Sequence, residues 1–226
     1  MILPLPLPTN EPQRLAALRA CQILDTPPER VFDNIVHLAA RFTGAPIAVV
    51  CLIDESRQWF KALVGLPVRE TPREHSICAF TILEPEMMVI ADATQDPRIQ
   101  YNPLVVGPPG IRFYAGVPLE LQDGVCVGTL AVADAQPRTI SEADREALQS
   151  LARLVVLLLE QRRQGSEAAG ANPITLPQLK ALFRQFVEGL KHAPPAQAQR
   201  DFRNLQLHVL ALASDFDINA GVSGKH

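Results

Sequence analysis

The sequence predicts an α+β domain, a central antiparallel β-sheet flanked by helices, and three observations carry that prediction. Apolar positions recur at helical spacing towards both ends of the first 165 residues and in alternation between them. The alternating segments stand in adjacent pairs joined by short turns, which favours antiparallel over parallel pairing. With 226 residues, 47% apolar and 20% charged, the chain can build one ordinary core and an appendage.

The opening MILPLPLPT (residues 1–9) interleaves prolines that deny a helix its backbone donors, so it is set apart as a proline-rich extension. Asn10, Glu11, Pro12 and Gln13 have the form of a capping box, followed by Leu15 and Leu18. For the next helix Thr26 is the expected cap, Pro27 the first helical residue and Glu29 the third. Val31, Ile35, Leu38 and Phe42 then recur at helical spacing, and Gly44 ends the run. PIAVVCLID (46–54) is expected as a strand, pairing with RQWFKALVG through a turn near Glu55 and Ser56. After an irregular middle, MMVIADA is a further short strand. Ser141, with Asp144 three residues on, opens a long helix through Ala147, Leu148, Leu151, Leu154, Val155, Leu158 and Leu159. Its second half is apolar nearly all round, more than one sheet can cover. The domain is therefore expected over 10–164, with a linker at 165–173, a helical hairpin at 174–218 and a tail at 219–226.

Between the short strand and the long helix lies GIRFYAGVPLELQDGVCVGTLAVAD (110–134), two alternating runs about Asp123-Gly124. A two-residue turn there would gather Phe113, Ala115, Val117, Leu119 and Leu121 with Cys126, Gly128, Leu130 and Val132 on one core-like face. The other face would collect Arg112, Tyr114, Gly116 and Pro118 with Thr129, Ala131 and Ala133. Its small residues suit either close approach of a helix or a hollow for a ligand, with Arg112 and Tyr114 setting polarity at one end.

Bulk properties exclude several classes. A net charge of −3 with dispersed Lys and Arg gives no footprint for nucleic acid or an anionic membrane. The apolar run 154–159 is far too short to span a bilayer. Cys21, Cys51, Cys78 and Cys126 are widely spaced, which argues against a zinc site or disulfide framework and for reduced thiols in a cytoplasm. No P-loop, metalloprotease, nucleophile-elbow or dinucleotide-binding motif occurs. The expectation is a cytoplasmic protein that is not an enzyme and carries no cofactor or metal.

Several phrases taken together resemble the GAF family of sensory domains, in the bacterial subgroup that precedes diguanylate cyclases and histidine kinases. They are NEPQRLAALRACQILDTPPERVFDNIVHLAARFTGAPIAVVCLID, RQWFKALVGLPVRETPREHSICAF, IADATQDPRIQYNP and IRFYAGVPLELQDGVCVGTLAVADAQPR. The resemblance implies a small-molecule cavity between the sheet and irregular segments, terminal helices that form a homodimer bundle, and a signalling partner. It favours the hollow over the packed helix. It places the ligand-binding stretches around Trp59, Ser76, Cys78, Phe80, Asp92, Asp96, Asn102, Arg112 and Tyr114. Relatives commonly carry a histidine where this chain has Phe80 and a cysteine where it has Ala131, so no metal or haem role is carried over.

Read for themselves, these residues have plainer uses. Ser76 can cap a helix with Cys78 in its first turn, where a thiol becomes reactive or merely fills the core. Arg112 can grip an anion or pair with Asp92, Asp96 or Glu70. Asp92, Asp96 and Asn102 suit loop fixing, and Trp59 a core wall. The resulting expectation is a sensory, regulatory ligand-binding protein without its own output domain. Two alternatives remain: a free-methionine sulfoxide reductase-like enzyme using Cys78, and a scaffold with a collapsed cavity.

Overall fold

A computed structural model describes Leu5 and residues 7–166. The expected hairpin at 174–218, the tail and most of the linker lie outside the described residues. The expected fold class stands: six antiparallel strands form one sheet in the order β3-β2-β1-β6-β5-β4. They are β1 (Ile47–Ile53), β2 (Arg57–Val64), β3 (Glu70–Pro72), β4 (Met88–Ile90), β5 (Phe113–Glu120) and β6 (Cys126–Asp134). Helices α1 (Glu11–Ala20), α2 (Arg30–Thr43) and α5 (Glu142–Ser166) cover one face. The one-turn helices α3 (Cys78–Thr81) and α4 (Pro103–Val106) and their loops cover the other.

Each strand divides its side chains between two cores because successive residues point to opposite faces. On β1, Ala48, Val50 and Leu52 join Phe32, Ile35, Leu148, Leu151 and Val155 on the helix side. Ile47, Val49, Cys51 and Ile53 join Ile77, Cys78, Phe80 and Ile99 on the loop side. Having apolar side chains on both faces is why 46–54 reads as a continuous apolar run rather than an alternating one.

Two of the expected caps hold and two do not. Ser141 Oγ accepts from the Asp144 backbone N–H at 3.1 Å and donates to its carboxylate at 2.6 Å, a reciprocal cap for α5. Gly44 closes α2 with φ 63°, the left-handed conformation. Around Gly44 an added methyl meets only Arg138 Nη2 at 3.5 Å. The cost of Gly44→Ala is therefore conformational, and we expect about 1 kcal/mol of lost stability in a urea melt.

Thr26, by contrast, does not cap α2. The helix begins at Arg30, with Glu29 as the flanking residue. The Thr26 hydroxyl donates to the Ile23 carbonyl and accepts from Lys61 Nζ at 2.7 Å. Asn10 flanks α1 without a side-chain cap, and Glu11 is engaged instead by Arg14 and Arg73.

The β5–β6 register follows the expected pairing from Phe113↔Asp134 to Pro118↔Thr129, then slips to Glu120↔Cys126. The turn is accordingly wider than two residues, with the Gly124 N–H donating to the Leu121 carbonyl. Beyond the slip the faces exchange: Val127 belongs to the helix-side core, and Cys126 packs on the loop side. The placement of Cys126 with Leu121 is thus corrected by a bulge at Gly128.

Candidate functional site

The loop side of the sheet holds a cavity of about 320 Å³. Its walls come from β1 (Ile47, Val49), β2 (Gln58, Phe60), β6 (Ala131, Ala133), Tyr114 of β5 and Ile77 and Cys78 at the start of α3. Segments 65–68 and 104–111 close over it. None of the lining residues is charged. The volume is near the lower end for small-molecule sites and about ten times the share of one liquid water.

Its floor is a polar network inside an apolar shell. Ser76, fully buried, accepts from the Ala79 backbone N–H at 3.0 Å and donates to Gln58 Oε1. On its other side the amide meets a second hydroxyl, Gln58 Nε2 donating to Thr71 Oγ1 at 3.1 Å. Tyr114 Oη shares a hydrogen bond of 2.7 Å with Thr81 Oγ1 and approaches Cys78 Sγ at 3.5 Å. Burial, together with Cys78, holds the Tyr114 hydroxyl well above its usual range, so it remains a neutral phenol. Cys51 lies beside Cys78. Burial pushes the Cys51 thiol up, while the hydrogen bond from Cys51 draws the Cys78 thiol down against burial, helped by Thr129 and Tyr114.

The structure thus places Cys78 and Tyr114 on the cavity wall, sets Ser76 behind it against Gln58, and sends the other expected residues elsewhere. Trp59 is paired with Leu52 and buried in the helix-side core, while its neighbour Phe60, opposite Cys51, forms the cavity wall. Phe80 is buried in the loop-side core without lining the cavity. Arg112 pairs with none of the suggested carboxylates: its Nη1 donates to the carbonyls of Val105, Gly110 and Ile111 at 2.8–3.1 Å. It therefore clamps the 105–111 loop. Asp92 accepts from the Thr94 N–H and hydroxyl. Asp96 pairs with Arg98 at 2.7 Å, which draws its carboxyl below the usual range. Asn102 accepts from the Leu104 N–H and donates to the His75 carbonyl, capping α4 and tying it to the segment before Ser76.

The hollow expected over Gly116 is partly filled from within its own strand. A methyl added at Gly116 would meet the Tyr114 ring, with Cζ at 2.7 Å. Tyr114 lies back over Gly116, and the open space is displaced towards Ala131, Ala133 and β1. The residues that were missed, Val49, Gln58 and Phe60, share loop-side parity, which only the pairing of β1 with β2 assigns.

A parallel alternation ties the helix face to the same strands. Lys61, at the β1–β2 bulge and 1% exposed, reaches Glu29 at 2.5 Å and the Pro27 carbonyl at 2.8 Å, with its Nζ 5.4 Å from the Phe32 ring centre. Glu29 is shared with Arg162 of α5. In the same turn of α5, buried Glu160 accepts from the Gln122 N–H at 2.7 Å, and Arg163 pairs with Asp123 at 2.6 Å. The long helix is thus pinned to β2 and to the β5–β6 turn.

A family model, GAF domain, matches residues 27–159, more than half of the chain. The chain belongs to the GAF family. It is 42% identical over 152 residues to a cyclic di-GMP phosphodiesterase of Pseudomonas aeruginosa, an alignment covering 67% of this chain. The chain spans 26% of that relative's length. Among solved structures, the GAF domain of an Acinetobacter phosphoenolpyruvate-protein phosphotransferase is similar at 22% identity and TM-score 0.47, over 66% of this chain and 93% of that one. A free methionine-R-sulfoxide reductase of Neisseria meningitidis is similar at 19% identity and TM-score 0.47, over 75% of this chain and all of the other. The relative in Pseudomonas is named for an enzymatic activity, so the expectation of a protein that is not an enzyme is corrected. Among the described residues no helix is long and apolar enough to cross a membrane.

Proposed function

We propose that this GAF domain is a sensory, regulatory unit whose cavity binds a small molecule and thereby regulates cyclic di-GMP turnover. The observation that carries the reading is the 320 Å³ cavity on the sheet face opposite α5, built around Gln58, Cys78 and Tyr114. The segment shared with the phosphodiesterase relative is long enough to include every strand of the cavity wall, which supports extending cyclic di-GMP signalling to this chain.

β2 gives the ligand a route to the helix layer. Gln58 and Phe60 face the cavity, while Lys61 reaches through the bulge to Glu29, which also holds Arg162. Displacing β2 alters a contact on which α5 depends, and this is a physical network with named members. Val156, Leu157 and Leu158 on the same helix stay half-buried, which supports a homodimer or a partner protein meeting α5.

Native mass spectrometry of freshly purified chain tests the reading. A co-purifying small molecule is expected, lost in Ala131→Leu, which fills the cavity from β6. Hydrolysis of cyclic di-GMP should change on adding that molecule to stripped protein. A chain that retains nothing, shows no thermal shift with any metabolite extract, and behaves identically after Ala131→Leu would overturn the sensory role.

A further inference from the structure

The chemistry of the cavity wall says what kind of molecule fits it. No Asp, Glu, Lys, Arg or His lines the space. Arg112, the cation the sequence places nearest, spends its Nη1 on three backbone carbonyls and does not reach the wall. An anion placed here would lose its hydration with no counter-charge and few donors in return.

The polar groups of the wall are also largely committed to one another. Tyr114 Oη is shared between Thr81 and Cys78. Gln58 Oε1 is taken by Ser76, and one of its amide hydrogens goes to Thr71 Oγ1. Since Thr71 Oγ1 accepts that bond, its own O–H has no acceptor among the described residues. The second amide hydrogen of Gln58 is likewise unassigned. Two free donors at one end of an otherwise hydrocarbon space can meet one acceptor group on a ligand. The remaining wall, including Ile47, Val49, Phe60, Leu104 and Ile111, offers only dispersion and burial of apolar surface.

Resting on the sensory reading above, we propose that the cavity takes an uncharged, mainly hydrocarbon ligand about the size of a fused bicyclic aromatic, its single acceptor group facing Gln58 and Thr71. Carboxylates, phosphates and cyclic nucleotides are excluded from this space. Cyclic di-GMP carries two phosphates, and no residue of the wall offers them a counter-charge.

Calorimetric titration of the full chain with 1-naphthol, naphthalene, 1-naphthoate and cyclic di-GMP reads this directly. 1-Naphthol should bind best, naphthalene a few-fold more weakly, and 1-naphthoate weaker than 1-naphthol by more than about tenfold. Gln58→Leu should bring 1-naphthol and naphthalene to similar affinities. Ala131→Leu, or Ala133→Leu as an independent filling variant, should abolish binding in a protein whose thermal unfolding remains cooperative. If 1-naphthoate or cyclic di-GMP binds as tightly as 1-naphthol, and Ala131→Leu removes that binding, the ligand class is overturned while the role of the cavity stands. If none of the four binds and the filling variants leave every effector response intact, both fall.

Discussion

Glu11→Gln is expected to destabilise the domain by about 3–5 kcal/mol, a large share of what a domain of this size has in reserve. Glu11 is the carboxylate between two guanidiniums held out of water. Arg14 is fully buried, pairing with Glu11 at 2.7 Å and donating to the Ile53 carbonyl at 2.6 Å. Arg73, 5% exposed, reaches Glu11 at 2.5 Å through Nη1, the same nitrogen that contacts the Asp54 and Glu55 carbonyls. Its Nε and Nη2 are buried without partners. Neutralising Glu11 leaves two buried cations with no counter-charge, and it loosens the tie between α1 and the 3-10 turn of Arg73–His75 that leads into Ser76 and the cavity floor.

The pH dependence has a definite sign. Burial pushes the Glu11 carboxyl up, but hydrogen bonds from Arg14 and Arg73 outweigh it, bringing it down from 4.5 to about 2. A carboxyl depressed in the folded state stabilises fully above its unfolded pKa, and that contribution is lost as pH falls from about 5 towards 2. The gap between the urea midpoints of wild type and Glu11→Gln should therefore narrow from neutral pH to about pH 3 and close only towards pH 2. Arg73→Met offers the contrast. It removes the two unpartnered donors together with the charge, so it should cost much less than Glu11→Gln. Equal losses for the two variants would show that lost packing, rather than stranded charge, governs the site.

What could be read from the sequence and what could not separate along a physical line. Alternation within a strand is local, so the hairpin pairing holds from Phe113 to Pro118, and the two-sided burial of β1 is already visible in its run of apolar residues. A bulge is not local. At Lys61 and at Gly128 one extra residue shifts the parity, and only the neighbouring strand decides where. Trp59 shows the same limit from the other direction: nothing within RQWF says which parity faces the cavity until Phe60 is seen opposite Cys51. Arg112 could be placed at the correct end of the hollow, yet its head turns to backbone carbonyls supplied by a loop whose path the sequence does not specify. Cys51 and Cys78 are 27 positions apart in the chain and become neighbours only through the sheet.

The bulge also yields the second large effect. Gly128→Ala should cost about 3 kcal/mol or more, because the added methyl would point into β1 rather than into free space. It would overlap the Cys51 carbonyl and sit 3.0 Å from Leu52 Cα, atoms of a central strand that pairs on both sides and cannot give way alone. Gly116→Ala has a different fate, although Gly116 lies on the adjacent strand. There the obstacle is the Tyr114 ring, a side chain that can rotate. Rotation would break the Thr81 hydrogen bond and carry the ring towards the cavity, at a cost of about 1–2 kcal/mol. Chemical denaturation should therefore rank Gly128→Ala well below Gly116→Ala in stability. Ligand titration should show the opposite pattern among folded molecules: Gly128→Ala retains the shape of the cavity in whatever fraction folds, whereas Gly116→Ala loses affinity because Tyr114 occupies the space. A Gly116→Ala protein with full stability and undiminished binding would mean that Tyr114 does not fill the hollow beside it, and that the small residues of β5 and β6 serve some other packing need.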